Sequence, residues 1–530
     1  MPTDREVDLD SAPQPLGADR SQAGGARSLK SRLGGGAALA WLCLGALVLH
    51  PQAAMAQAPI ATAPPPPGAD ADRQRIEQQL QELLKMRQEF DKRIGALESE
   101  LHGGAPAAVS TPSVAPAIQT IAEHPTEAAP PARWGGFEPG KGLVLMRSDV
   151  GEVDLGMVSY FRYLNQHGMD KTATSAFGEH FDVTPREDFQ LAKVQMTLRG
   201  WLFDPRFGYN AYVWSSQTSQ GLGAQVVVAG NINWTFSEWF KAYFGIQSLP
   251  STRSTNRTFP YWLRNDNRTI ADEFFRGSYT QGIWAEGKIM RGLEYRVMIA
   301  NNLSALGVNA RQLDAKPNTV SGALTWTPTT GEFGPGNGLG DFEEHQKVAT
   351  LFSAHYTSST ETPQSQPATD SIENTQIRLS DGTLLFSSTA FNPPGRILEA
   401  RYQMMALGAA IKYKGYSLES EFYTRWLNDF KIQGFVPRDH LFDTGYQLQA
   451  SAMVIPQKLQ AYVSGSQIFG QYGDPYDVAV GLNYFPFKRR DLRVNMMGLY
   501  VHKSPVGYTA YPVPVGGNGF TFLTDFSLAF

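Results

Sequence analysis

Between Ser248 and Ser278 stand five arginines, Arg253, Arg257, Arg264, Arg268 and Arg276, against the acids Asp266, Asp272 and Glu273. A guanidinium presents a planar fork of donors that matches a carboxylate or a phosphate. The same stretch carries Phe259, Tyr261 and Trp262, enough apolar surface to fold inward against a wall. It therefore reads as a candidate constriction, because rings of charge select ions in pores. The other reading is an exposed loop whose arginines meet the phosphates of lipopolysaccharide. Catalytic chemistry finds little to work with. The nine histidines are scattered with no H-E-x-x-H, there is no G-x-S-x-G, and GPGNGLG lacks the G-x-G-x-x-G spacing. The expectation is no enzyme, no catalytic residue, no metal and no cofactor.

The elements that must position these residues are strands. From about residue 142 the chain shows no helical periodicity. Runs such as EVDLGMVSYFRY, QLAKVQMTLRG, GLEYRVMIANN and YSLESEFYTRW alternate with period two. Short turns, including Asp204-Pro205, Arg291-Gly292 and Lys414-Gly415, alternate with long polar connections. TPTTGEFGPGNGLGDFE breaks that rule, standing where a short turn is due. About sixteen strands follow, starting near residues 152, 189, 206, 224, 239, 279, 292, 317, 344, 398, 416, 442, 458, 475, 492 and 519. An even count with alternating loops and turns predicts an all-β fold, a transmembrane antiparallel β-barrel of the bacterial outer membrane. A sheet in lipid must close so that every backbone group is paired. The ending TDFSLAF puts Phe526, Leu528 and Phe530 on one parity, as a closing strand with one apolar face requires. Such an ending resembles the signal read by the outer-membrane barrel assembly machinery. KGLVLMRS, before the first strand, is an extra strand or a plug segment.

If the apolar parity faces lipid, the other faces the lumen, and a barrel of about 16 strands is wide enough for water. That parity brings inward the bases Arg162, Lys193, Arg199, Lys241, Lys288, Arg296, Lys347, Arg425 and Arg493. It also brings in the acids Asp154, Glu286, Glu294, Glu419, Glu421, Asp477 and Asp525. Candidate anion-binding residues are Lys193, Arg199, Lys241 and Arg296 on the wall, with Arg253, Arg257, Arg264, Arg268 and Arg276 from the loop. Cross-strand ion pairing is the structural alternative for each wall charge.

Residues 1–56 read as a signal peptide: a basic region, the apolar run GGGAALAWLCLGALVL, then Ala54-Met55-Ala56, with cleavage before Gln57. Cys43, the sole cysteine, lies inside that run, so no disulfide is expected in the exported chain. Residues 57–70 form a proline-rich linker. Residues 71–102 carry Ile76, Leu80, Leu83, Phe90, Ile94, Leu97 and Leu101 at heptad spacing, with Arg87 the exception. This predicts a short periplasmic coiled coil and hence an oligomer. A second, Pro/Ala-rich linker spans 103–133, and the barrel spans 134–530. A net charge of -4 offers no polycation to nucleic acid.

Three stretches carry a family likeness. DFQLAKVQMTLRGWLFDPRFGYNAYV, FGIQSLP and IADEFFRGSYTQGIWAEGKIMRGLEYRVMIANN resemble the phosphate-selective porins O and P. The resemblance is strongest in the first half of the barrel. It implies a homotrimer of sixteen-stranded outer-membrane channels that pass small anions, phosphate or similar, with a periplasmic N-terminal helix. Where the family shows an Arg-Arg-x-Arg-like run, this chain has Ala192-Lys193-Val194. Where the family has Gly-Gln-Phe-Lys-x-Pro, it has Gly245-Ile246-Gln247-Ser248-Leu249-Pro250. The fold carries over on this basis and the phosphate selectivity does not. Three functions follow as expectations: a porin for small anions, a dicarboxylate or general-diffusion porin, and a plugged structural or adhesive barrel.

Overall fold

The structure, a computed structural model, describes residues 135–138, 141–216, 225–306, 317–367, 376–388, 390–391, 395–507 and 511–530, with Gln81, Lys85, Gln88 and Lys92. The chain divides into units of residues 1–122 and 123–530. The expected signal peptide, both linkers and almost all of the coiled coil lie outside the described residues. The four described residues of that coiled coil are helical and exposed, at b and f positions of the heptad, away from its seam.

In the second unit β3 (Gly151–Met169), β6 (Glu187–Leu202), β7 (Asp204–Ser216), β8 (Gln225–Ser237) and β9 (Phe240–Ser248) open the wall. It continues through β10 (Tyr279–Met290), β11 (Leu293–Ala300), β12 (Thr319–Trp326), β13 (Ala349–Glu361), β14 (Arg396–Tyr413) and β15 (Tyr416–Gln433). It is completed by β16 (Leu441–Ile455), β17 (Leu459–Phe469), β18 (Tyr476–Tyr484), β19 (Leu492–His502) and β20 (Gly519–Ala529). Each strand pairs antiparallel with the next and β20 pairs with β3, which closes a sixteen-strand barrel. A hairpin of β4 (Thr172–Thr174) and β5 (His180–Asp182) stands in the first long connection.

Period-two patterning sets the two faces of the wall. On β15, Leu418, Phe422 and Trp426 are exposed while Glu419, Glu421 and Arg425 are buried. A water-soluble barrel has the reverse arrangement. Exposed aromatic rings gather at both rims. Phe236, Trp239, Tyr413 and Tyr416 lie by the short turns, and Trp426, Phe442, Phe469 and Phe520 lie by the long loops. Rings of that kind mark the two interfaces of a membrane-spanning wall.

Phe530 sits in a seam. Its N–H donates to the Met157 carbonyl and its carbonyl accepts from the Met157 N–H, both at 2.9 Å. Beyond it the same edge of β3 is taken by β2 (Gly142–Arg147), which in turn pairs with β1 (Gly136–Glu138). KGLVLMRS is thus an extra wall strand, not a plug. Strand starts match expectation within a residue or two, with one exception. The strand expected near 344 begins at Ala349. Lys347 therefore belongs to the preceding connection and not to the inner wall. Gln346, Lys347 and Val348 are all exposed there, and the in-out alternation begins only at Ala349.

Two connections turn into the barrel. The 249–278 loop carries α1 (Ile270–Phe275), which packs against β15, β16, β17 and β18. The 327–348 connection rises from the short-turn rim to meet it, and the Leu339 N–H donates to the Tyr261 carbonyl at 2.8 Å. Both dock on the β13–β20 side. Phe275 stacks on Tyr423 at 5.2 Å and joins a buried apolar cluster with Leu249, Ile270, Leu379 and Val513. Phe333 is fully buried, with the Lys412 ammonium 4.3 Å over its ring. The same ammonium donates to the Phe333 and Gly338 carbonyls at 2.7 Å. Removing the Phe333 ring would leave a cavity under two cations. Phe333→Ala is expected to lose roughly 3 kcal/mol or more of stability, read as a lowered unfolding midpoint by circular dichroism in detergent. An unchanged midpoint would mean that the connection is not docked.

Candidate pore constriction and passage

The loop arginines act first as anchors. Arg264 Nη1 meets Asp477 Oδ2 at 2.5 Å and its Nε donates to Ser464 at 2.6 Å, with only 1% of the side chain exposed. Arg276 grips Glu273 through two 2.7 Å bonds. The Arg253 N–H donates to Glu421 at 2.9 Å, and its guanidinium reaches Glu419 and the Asn337 carbonyl. Arg268 lies 4.4 Å over Trp262 and 3.4 Å from Glu273. Thr269 caps α1 by accepting from the Asp272 N–H, the role a threonine hydroxyl fills at a helix start. Low local dielectric makes each pair strong once its partner is present. Sequence spacing marked these residues as anion binders. Arg264 and Arg276 are instead walled in on the packed side, each against a carboxylate.

Packing the loop and the 327–348 connection against β13–β20 leaves the lumen open on the β6–β11 side. Two chambers lie there. The upper, about 320 Å³, is lined by Lys193, Arg199, Arg257 and Arg268 with Phe259, Trp262 and Tyr279. The lower, about 630 Å³ and nearer the short-turn rim, is lined by Arg199, Lys241 and Arg296 with Trp201, Tyr243 and Trp284. Arg199, Asn210 and Gln247 line both chambers and mark their junction. Of the nine candidate residues the passage therefore gathers Lys193, Arg199, Lys241, Arg257, Arg268 and Arg296. It does not gather Arg253, Arg264 and Arg276.

Most of these cations carry a counter-charge. Lys193 meets Asp266 at 2.9 Å and stands 5.2 Å over Phe259. Arg257, with a left-handed φ of 72°, reaches from the loop to Glu286 at 2.5 Å and Glu294 at 3.2 Å. Burial pulls its pKa down, but the Glu286 carboxylate more than offsets this, and the net shift is up. Arg296 holds Glu286 at 2.7 Å. Register places Lys241 and Arg296 on either side of Glu286. Lys241 makes no ion pair among the described residues and stands 5.1 Å over Tyr243, which stacks on Trp284 at 4.9 Å. Ring faces attract a cation without neutralising it. Sequence reasoning passed over Asn210, Asn231, Asn233 and Gln247, although the inward parity that found Lys241 also marks them.

No family model matches the chain, and no curated protein matches it. Among solved structures it is similar to an anion-selective porin from Comamonas acidovorans, 12% identical over 72% of this chain and 100% of that one, with a TM-score of 0.45. It is similar also to the outer membrane channel DcaP of Acinetobacter baumannii, 9% identical over 72% and 99%, TM-score 0.46. A third is OprD of Pseudomonas aeruginosa, 10% identical over 71% and 95%, TM-score 0.34.

The loop holds one group with a pH signature. Burial, and then the nearby Glu421 carboxylate, raise the Asp272 carboxyl to about 6, while Arg268 and the Thr252 hydroxyl pull it down. A pKa above the unfolded value of 3.8 means that the folded chain keeps a proton which the unfolded chain releases. The penalty is complete above the folded pKa, shrinks as pH falls from there, and vanishes only below the unfolded value. Asp272→Asn is therefore expected to raise the unfolding midpoint at pH 8 and to leave it unchanged at about pH 3. A lower midpoint at pH 8 would mean that ionised Asp272 stabilises the loop through Arg268.

Proposed function

We propose that this chain is an outer-membrane porin through which small anions diffuse, with a mild preference for anions over cations. The observation that carries this reading is the off-centre passage, two connected chambers whose walls bear Lys193, Arg199, Arg257, Lys241 and Arg296. Solute moves down its gradient. Cations along the wall replace part of its hydration and release it again, as conduction requires. The preference is mild because Lys193, Arg257, Arg268 and Arg296 each face a carboxylate. A trap for phosphate needs several unopposed cations around one point, which that pairing works against. The reading therefore favours a general or organic-anion porin over a phosphate-selective one.

The aromatic rims fit an outer-membrane position, with the short turns, the C-terminus and the N-terminal coiled coil on the periplasmic side. Assembly as a homotrimer and recognition of the Phe530 ending by barrel assembly machinery belong to the same reading. A plugged structural barrel draws support from the filled β13–β20 half, but the open chambers beside it favour conduction.

The test is single-channel recording of the purified protein in a planar bilayer under a potassium chloride gradient. The reversal potential is expected to favour chloride. One unit charge about 8 Å from a passing ion in water-like dielectric contributes about 0.5 kcal/mol, which screening at about 0.1 M salt cuts to about 0.2 kcal/mol. The contribution has opposite sign for anion and cation, so Lys241→Gln is expected to lower the anion-to-cation permeability ratio roughly twofold, and Glu286→Gln to raise it by a similar factor. Cation preference in the unaltered chain would contradict the lumen assignment, and zero conductance would favour the plugged barrel.

A further inference from the structure

Polar side chains in the packed half of the lumen are knitted to one another. Asn483 donates to Gln460, Asn495 to Asn483 and Gln447 to Glu421. The passage half differs. Asn231, Asn233 and Gln247 line it, and none of their side chains makes a hydrogen bond among the described residues. The Asn210 carbonyl oxygen is buried and unpartnered beside them. Gly208, paired with Asn233, makes room for that amide: a Cβ there would stand 2.6 Å from Asn233 Oδ1. Each amide offers two donors and an acceptor.

Below this band lies an incomplete cation. Arg296 is 5% exposed, spends Nε and Nη2 on Glu286, and has no partner for Nη1. Lys241 across the row stands opposite Glu286, makes no ion pair among the described residues, and lies over Tyr243, which stacks on Trp284. Within one chamber of about 630 Å³ the wall thus offers amides with no hydrogen bond among the described residues, stacked aromatic rings and the Lys241 ammonium, with Arg296 behind it and Glu152, Asp154 and Glu286 as the acids of the lining. That is the size range of small-molecule sites.

Resting on the channel reading above, we propose that the lower chamber is a transit site for sugar acids: ring solutes that carry a carboxylate and several hydroxyls. The carboxylate faces Lys241, with the Arg296 guanidinium adding positive charge from within the wall, the hydroxyls meet Asn231 and Asn233, and the apolar ring face lies against the aromatic wall. Simpler solutes use only part of this surface. Acetate leaves the amides and rings idle, glucose leaves the cations idle, and phosphate is too compact to reach both sets.

The test records block of chloride current through the full chain by glucuronate, acetate, glucose and phosphate at equal ionic strength. Quenching of tryptophan fluorescence in detergent reads binding independently of conduction. Glucuronate is expected to act at about tenfold lower concentration than the other three, and Asn231→Ala/Asn233→Ala to lose about tenfold for glucuronate alone, as two hydrogen bonds of ordinary strength imply. Equal potency of the four solutes in both readouts would overturn the proposal. So would a double variant that conducts and responds to glucuronate like the unaltered chain. A barrel that conducts yet shows no preference fails this proposal alone. A barrel that binds glucuronate yet passes no current fails the channel reading and keeps the site.

Discussion

A backbone amide in hydrocarbon has no water to bond, so a wall of strands in lipid must leave no open edge. Much else in this chain follows from that constraint. Closure demands that the last strand meet the first, and β20 does so along β3 until Phe530. Each strand is joined to its neighbour by a turn or loop, so neighbours run antiparallel throughout and all connections lie at one rim or the other. It also forces the period-two alternation to put one face in lipid and one in the lumen, because each strand has only two faces. The β1–β2 hairpin extends the same logic past the C-terminus by covering the edge of β3 that β20 leaves bare.

A closed wall of this circumference leaves a wide lumen, and the chain fills half of it. Buried ion pairs hold the filling in place: Arg264 with Asp477 and Arg253 with Glu419 tie it to the wall, and Arg276 with Glu273 braces the loop internally. Charges are costly to bury singly, and an arginine whose donors are met by a carboxylate and by carbonyls lowers that cost. What results is an off-centre passage rather than an axial one. Its cations are tempered by Glu286, Glu294 and Asp266.

The barrel was legible because its signal is local and repeated. Alternation in EVDLGMVSYFRY or YSLESEFYTRW shows both the strand and its two faces, and TDFSLAF shows the closing strand. The inward turn of the 249–278 loop was legible in part, from arginines beside Phe259, Tyr261 and Trp262. What each arginine touches was not legible, because Arg264 and Asp477 are brought together only by the closed fold. Spacing along the chain does not separate an anchoring guanidinium from one that lines water. The 327–348 connection stands out in the sequence as too long for its rim, but its destination depends on Lys412 and Tyr261, distant in sequence. The inward parity of Asn231, Asn233 and Gln247 is legible, but their lack of a hydrogen-bond partner among the described residues shows only in the folded chain.

The central claim is that the lumen is open beside β6–β11 and filled beside β13–β20. Cys43 is the sole cysteine and lies outside the barrel unit, so a single introduced thiol reports cleanly. Asn233→Cys lines the lower chamber, and Ser353→Cys replaces a buried inward side chain on β13. The rate at which a charged methanethiosulfonate reagent steps down the single-channel current tests the claim directly. The structure predicts prompt modification at 233 and none at 353. Equal rates at the two positions, or reaction at 353 alone, would contradict an off-centre passage.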